Sequence, residues 1–286
     1  MRAKLRDTEI YFDIEGAGLV PDGKRMREKP VAFLIHGGPG ADHTSFKPTL
    51  SPLSQKMQLV YFDHRGQGRS TRGAKETYTL DNNVEDMEAL RQHLGLDQIV
   101  VIGASYGGMV ALTYASRYPQ NVSHLIAIVT VPDYRFLERA KAILAERGTE
   151  AQKAIAQRLW EGNFENEEQL REYFTVMRSL YSITYDPDSS PKAWDRAILS
   201  PDAINVAFGG FLRTYDIRSE LPKITAPTLV IGARHDWICP PEFSEEIANA
   251  IPNADLRIFE HSGHSIRADE PEALLDAIAG FIVYKH

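Results

Sequence analysis

Apolar residues fall along the chain in two alternating rhythms. Short apolar runs occur at Val31–Ile35 (VAFLI), 59–62 (LVYF), 99–102 (IVVI) and 125–131 (LIAIVTV). Compact runs of this length, rich in β-branched residues, predict buried strands. Between them the spacing changes. Leu80, Val84, Met87, Leu90 and Leu94 recur every three or four residues, which predicts a helix over 80–94. A second helix is expected over 106–118, stopped by Pro119. Strands alternating with helices imply a mostly parallel central sheet flanked by helices and joined by right-handed crossovers.

The rhythm breaks at about residue 133 and returns after 221. Ala, Glu, Arg and Gln dominate 135–175, and DPDSSP at 186–191 is a turn-rich break. Strand signals resume at 228–231 (TLVI) and 256–259 (LRIF), and an amphipathic helix is expected over 271–284. The expectation is one α/β catalytic domain, residues 1–132 and 222–286, with a helical cap, residues 133–221, inserted after the sixth strand. Such a cap would lie over the carboxyl ends of the strands, where open α/β sheets bind ligands.

Composition narrows the classes of partner. With 286 residues the chain suits one large domain carrying an insertion. A formal net charge of −7 argues against nucleic acid, whose phosphates are met by basic surfaces. Residues 1–10 interleave charges and hold no apolar core, unlike a signal peptide. The longest apolar stretch, 99–115, is interrupted by Gly103, Ser105, Tyr106, Gly107 and Gly108, so no membrane span is expected. A cytoplasmic location is expected from the absence of any other signal. The single cysteine, Cys239, cannot form an intrachain disulfide and is expected to be inert. The nine histidines form no H-E-x-x-H pattern, so neither metal nor cofactor is expected.

Gly103-Ala104-Ser105-Tyr106-Gly107 has the form G-x-S-x-G, between a predicted strand and a predicted helix. A serine hydroxyl is a weak nucleophile and must be held exposed beside a base. A sharp strand-to-helix turn does this, with small residues letting it close. His36-Gly37-Gly38-Pro39-Gly40 follows an earlier strand. Acyl transfer needs two N–H donors aimed at the developing oxyanion. Tyr106 and Gly38 are the candidates, with Gly37 adjacent. The base is expected after the last strand, where His264 is favoured over His261. The acid is expected past the preceding strand, where Asp236 is favoured over Asp133. Its carboxylate would fix the imidazole tautomer and stabilise the imidazolium.

These residues resemble the proline iminopeptidase group of α/β-hydrolases. The likeness rests on HGGPG at 36–40, DHRGQGRS at 63–70, GASYGG at 103–108, GARHDWICPP at 232–241 and HSGHS at 261–265. It implies the α/β-hydrolase fold, with Ser105 as nucleophile, Asp236 as acid, His264 as base, and oxyanion donors at Gly38 and Tyr106. It implies a structural role for residues 63–70. Trp160-Glu161 echoes a Trp-Glu element of the family's cap, making Glu161 a candidate ligand for a substrate amine. Two departures stand out: Tyr106 replaces a frequent tryptophan, and the family's Glu-Asn-His-Tyr-Phe cap stretch is missing.

Two substrate classes follow: a short peptide giving up its N-terminal residue, or a small ester or lactone. The peptide needs carboxylates in the cap to hold its amine. The ester needs only an apolar pocket, for which Phe164, Tyr173, Phe174, Tyr181, Trp194 and Phe211 are candidates. A receptor that keeps the three catalytic residues but barely turns over is the remaining alternative.

Overall fold

The computed structural model describes residues 1–188 and 196–283. Its strands are β1 (Arg2–Leu5), β2 (Thr8–Glu15), β3 (Leu19–Asp22), β4 (Arg25–Glu28), β5 (Val31–Ile35), β6 (Gln58–Phe62), β7 (Ile99–Ala104), β8 (Val122–Ile128), β9 (Thr228–Ala233) and β10 (Ala254–Phe259). Eight of them form one sheet in the order β1-β2-β6-β5-β7-β8-β9-β10. Every pairing from β6 to β10 is parallel, and β1 and β2 add an antiparallel edge. The exposed β3 and β4 pair as a separate hairpin.

The central strands are apolar on both sides because both faces are covered. Phe33, Ile35, Val60, Phe62 and Val101 belong to one core cluster; Leu34, Leu59, Tyr61, Val100 and Ile102 belong to the other. α1 (Leu80–His93) and α2 (Tyr106–Arg117) supply Met87, Leu90, Met109 and Val110 to the first cluster. α8 (Pro271–Val283) supplies Leu274 and Ile278 to the second.

Between β8 and β9 the chain forms α3 (Phe136–Arg147), α4 (Glu150–Glu161), α5 (Glu167–Tyr181) and α6 (Pro201–Gly209). Local chemistry starts two of them. Thr149 and Gln152 make a reciprocal capping box for α4, and Asn166 accepts the Gln169 amide at the start of α5. Phe136, Leu159, Phe174 and Phe208 from these helices join the same cluster as Tyr106 and Met109. Full burial of such side chains contributes about 1.5–3 kcal/mol each, which fixes the inserted helices over α2.

The structure moves one strand and adds others. β8 ends at Ile128, not 131, because Val129 turns to φ 43° and Thr130 bonds to the loop above. β1 to β4 and α7 (Pro241–Ala250) had no counterpart in the pattern of apolar runs. β2 is half-buried at an edge, so only Ile10 and Phe12 are fully inside. Among the described residues no helix is long and apolar enough to cross a membrane.

Candidate active site

The sheet order reverses between β5 and β7, since the chain leaves β5 toward β6 on one side and reaches β7 on the other. Neighbouring parallel strands then feed diverging connections, and a crevice opens at their carboxyl ends. His36, Gly37 and Gly38 leave β5 there, and Ser105 leaves β7.

Ser105 forms the turn between β7 and α2 at φ 56°, ψ −122°. A non-glycine residue in this region stores about 1–3 kcal/mol of backbone strain. The surroundings hold it in place. Its amide donates to the Ile128 carbonyl at 2.9 Å, and its carbonyl accepts from Thr130 Oγ1 at 2.8 Å. A Cβ on Gly107 would overlap the Ile35 carbonyl, so only glycine lets α2 pass this close to β5. Gly38 sits at φ 119°, and its amide meets no carbonyl among the described residues. The Tyr106 amide opens α2 and has no acceptor within the helix. A Cβ on Gly37 would come 3.0 Å from Ser105 Cβ, so the two loops are in contact.

Residues 63–70 brace this crevice from behind. Gln67 Oε1 accepts the Gly40 amide at 2.7 Å. The Asp63 carboxylate accepts His43 Nδ1 at 2.7 Å, the His43 amide at 2.9 Å and the Arg69 amide at 2.7 Å. Burial raises the Asp63 pKa, but the His43 hydrogen bond, the neighbouring His36 and His43 rings and the Arg69 amide together carry it below the usual carboxylate value. The His36 and His64 rings meet at a tilt, with centres 4.5 Å apart, and burial pushes both below the ordinary histidine pKa. Neutral, buried and bonded to backbone, they brace the loop.

Asp236 follows β9 and is buried. Its Oδ1 accepts the amides of Ile238 and Cys239, each at 2.9 Å, and its Oδ2 lies 2.7 Å from His264 Nδ1. The alternatives lie elsewhere: Asp133 is paired with Arg135 at 2.5 Å and Arg218 at 3.2 Å, and His261 is exposed. Ser105 and His264 line one cavity, with no hydrogen bond between them among the described residues. The Ser105 hydroxyl instead sits beside the Cys239 thiol, which burial and the Asp236 charge push well above its usual pKa. Asp236, Cys239 and His264 bring donor atoms within 4.8 Å of one another. Asp236 and His264 already hold each other, which leaves no space between them for a metal ion.

The cavity itself is narrow, about 80 Å³, and opens to solvent. Phe46, Met109, Phe136, Leu159, Phe174 and Phe208 dominate its wall. No Asp or Glu lines it among the described residues, and Arg267 is its one fixed charge there. Tyr181 stands edge-on to His264, with ring centres 5.5 Å apart. The end of α5 is tied to the loop that carries His264. Asp269 accepts Ser182 Oγ at 2.5 Å, Thr184 Oγ1 at 2.7 Å and the Gly263 amide at 2.8 Å. The Ser265 amide donates to the Tyr181 carbonyl at 2.7 Å.

The expected substrate contacts are placed differently. Glu161 is exposed, bonded to Gln157 and Asn163, and lines a separate hollow with Trp160. It ends α4 and is not among the residues that line the Ser105 cavity. Trp160 packs on Trp237 and Phe208, and Phe211 lies against the Tyr106 ring at 6.1 Å rather than on the cavity. Of the cap aromatics expected to line the cavity, Phe174 and Tyr181 do so and Phe164 and Tyr173 are core; Phe136 and Phe208 reach it instead. Trp194 lies outside the described residues. Arg267 was missed, and its position three residues past His264 was the available signal.

The alpha/beta hydrolase fold family matches residues 30–271, and the chain belongs to it. Within that family it falls in the proline iminopeptidase-like group. The proline iminopeptidase PfmaB of Pestalotiopsis fici is 30 % identical over 274 residues, covering 94 % of this chain and 97 % of that protein. A proline iminopeptidase structure from Mycobacterium smegmatis matches with a TM-score of 0.78 at 20 % identity, over 99 % of this chain and 97 % of that one. A thermophilic esterase from Thermogutta terrifontis matches at 0.68 and 25 % identity, over 99 % and 98 % of the two chains.

Proposed function

We propose that this protein is a serine hydrolase of small carboxylic esters or lactones, acting through Ser105, His264 and Asp236. The observation that carries the ester reading is the apolar wall around Ser105, where no described residue offers a carboxylate to hold a substrate amine. Residues 133–221 act as the lid of this site, contributing Phe136, Leu159, Phe174, Tyr181 and Phe208 to its wall.

Ser105 turns about its Cα–Cβ bond toward His264 Nε2, which takes its proton as Oγ attacks the carbonyl carbon. Asp236 holds Nδ1 and balances the imidazolium. The oxyanion accepts the amides of Gly38 and Tyr106. As the tetrahedral centre collapses, the alcohol leaves with the proton from His264, and an acyl-enzyme remains. Water, deprotonated by His264, repeats the sequence and releases the acid and Ser105.

Cleavage of N-terminal residues from short peptides is the second reading, favoured by the names of the relatives. The two are separated by comparing kcat/KM on a 4-nitrophenyl ester and a prolyl 4-nitroanilide. The ester is expected to win, and an anilide preference would overturn the ester reading. Covalent labelling of Ser105 by a fluorophosphonate is expected; no labelling would point to the barely active receptor.

A further inference from the structure

One charge in the cavity has no part in the reaction just described. Arg267 is mostly withdrawn from solvent and lines both the Ser105 cavity and a smaller hollow formed with Phe46, Leu50 and Leu274. Among the described residues its guanidinium makes no ion pair or hydrogen bond. The nearby acid, Asp269, is occupied by Ser182, Ile183, Thr184 and Gly263. Burial holds the Arg267 pKa below the usual arginine value, opposed only by the Asp269 charge.

A buried cation is normally paired, because desolvation leaves it costly alone. Here no described residue supplies the partner, and Arg267 lines the same cavity as Ser105. A guanidinium offers a planar fork of donors and no acceptor, which suits a carboxylate through two parallel hydrogen bonds. One cation in an apolar wall neutralises a monoanion; a dianionic phosphate would keep an uncompensated charge.

Resting on the ester-hydrolase reading, we propose that the substrate is an ester or lactone bearing a free carboxylate, which Arg267 binds while the scissile carbonyl lies at Ser105. Arg267 is then the residue that sets specificity. The absence of acidic residues from the described wall fits this, since an acid there would pair with Arg267 and repel the substrate.

The test compares mono(4-nitrophenyl) glutarate with 4-nitrophenyl pentanoate, which puts a methyl where the first has a carboxylate. The wild type is expected to favour the charged ester. In Arg267→Met the ratio of the two kcat/KM values should fall roughly 10- to 100-fold, mainly through KM. Arg267→Lys should recover part of it. An unchanged ratio in both variants would overturn the inference. Calorimetry with the monomethyl ester of glutarate, a monoanion like the proposed substrate, gives a readout independent of turnover. Ser105→Ala should bind this glutarate probe without cleaving it, and Ser105→Ala/Arg267→Met should bind it at least about tenfold more weakly. If glutarate binding depends on Arg267 while neither ester is cleaved, the hydrolase reading fails and the anion site stands. If pentanoate is cleaved and glutarate binds equally to both proteins, the hydrolase reading stands and the anion site falls. The thermal midpoint of Arg267→Met should be at or above the wild-type value, because no bond to a described residue is lost.

Discussion

Two buried carboxylates in this molecule hold an imidazole in nearly the same way. Asp236 lies 2.7 Å from His264 Nδ1, and Asp63 lies 2.7 Å from His43 Nδ1. Each aspartate also accepts two backbone amides. What differs is the other side of the ring. His43 is stacked on Tyr11 and closed in by Tyr61. His264 lines the cavity that Ser105 enters. A carboxylate–imidazole pair is therefore a structural element by default, and access to a reacting group is what turns one into an active site.

Substitutions sharpen that contrast. The largest effect is expected from Ser105→Ala, which should lower kcat on a nitrophenyl ester by about 10⁶-fold while leaving the fold intact. Asp236→Asn should cost about 10⁴-fold in kcat by favouring the wrong imidazole tautomer, again with little change in thermal midpoint. Asp63→Ala should do the reverse. It strands His43 and two amides without an acceptor, and denaturant titration should show a loss of about 3–5 kcal/mol. A larger effect of Asp63→Ala on kcat than on stability would break the comparison.

The pH dependence of stability gives a finer test. The folded pKa of Asp63 lies below its ordinary 3.8. Its stabilisation is then complete above that value and is lost as pH falls through the depressed folded value. Thermal midpoints of wild type and Asp63→Ala should differ at neutral pH and converge in acid. The smallest effect concerns Cys239. A buried thiol with a raised pKa should resist iodoacetamide at pH 8 in the native protein and react once it is unfolded. Rapid native labelling would mean the cavity is wetter than its lining implies.

Much of this was legible in the sequence because local rules and long-range packing agree there. IVVI followed by G-x-S-x-G specifies a strand, a tight turn and a helix, and that is how 99–117 folds. Asp236 and His264 lie 28 residues apart, yet each follows a recognisable strand, and β9 and β10 pair in parallel to bring those loops together. The pocket wall was not legible. Helices α3 to α6 are amphipathic, and periodicity does not say whether an apolar side chain faces core or cavity. Phe164 and Phe174 look alike in sequence and end up in different places. Glu161 belongs to a family echo, but the turn at which α4 ends sets its direction. Arg267 carried no motif, since its character comes from the cavity it lines and from the lack of a partner among the described residues.

The Asp269 clamp couples two parts of the chain otherwise far apart in sequence. Ser182 caps α5 and Thr184 follows two residues later, while Gly263 precedes His264, and one carboxylate accepts from all three. Losing the Asp269 carboxylate would therefore loosen the carboxyl end of α5 and the histidine-bearing loop at one stroke, since both hang on the same two oxygens.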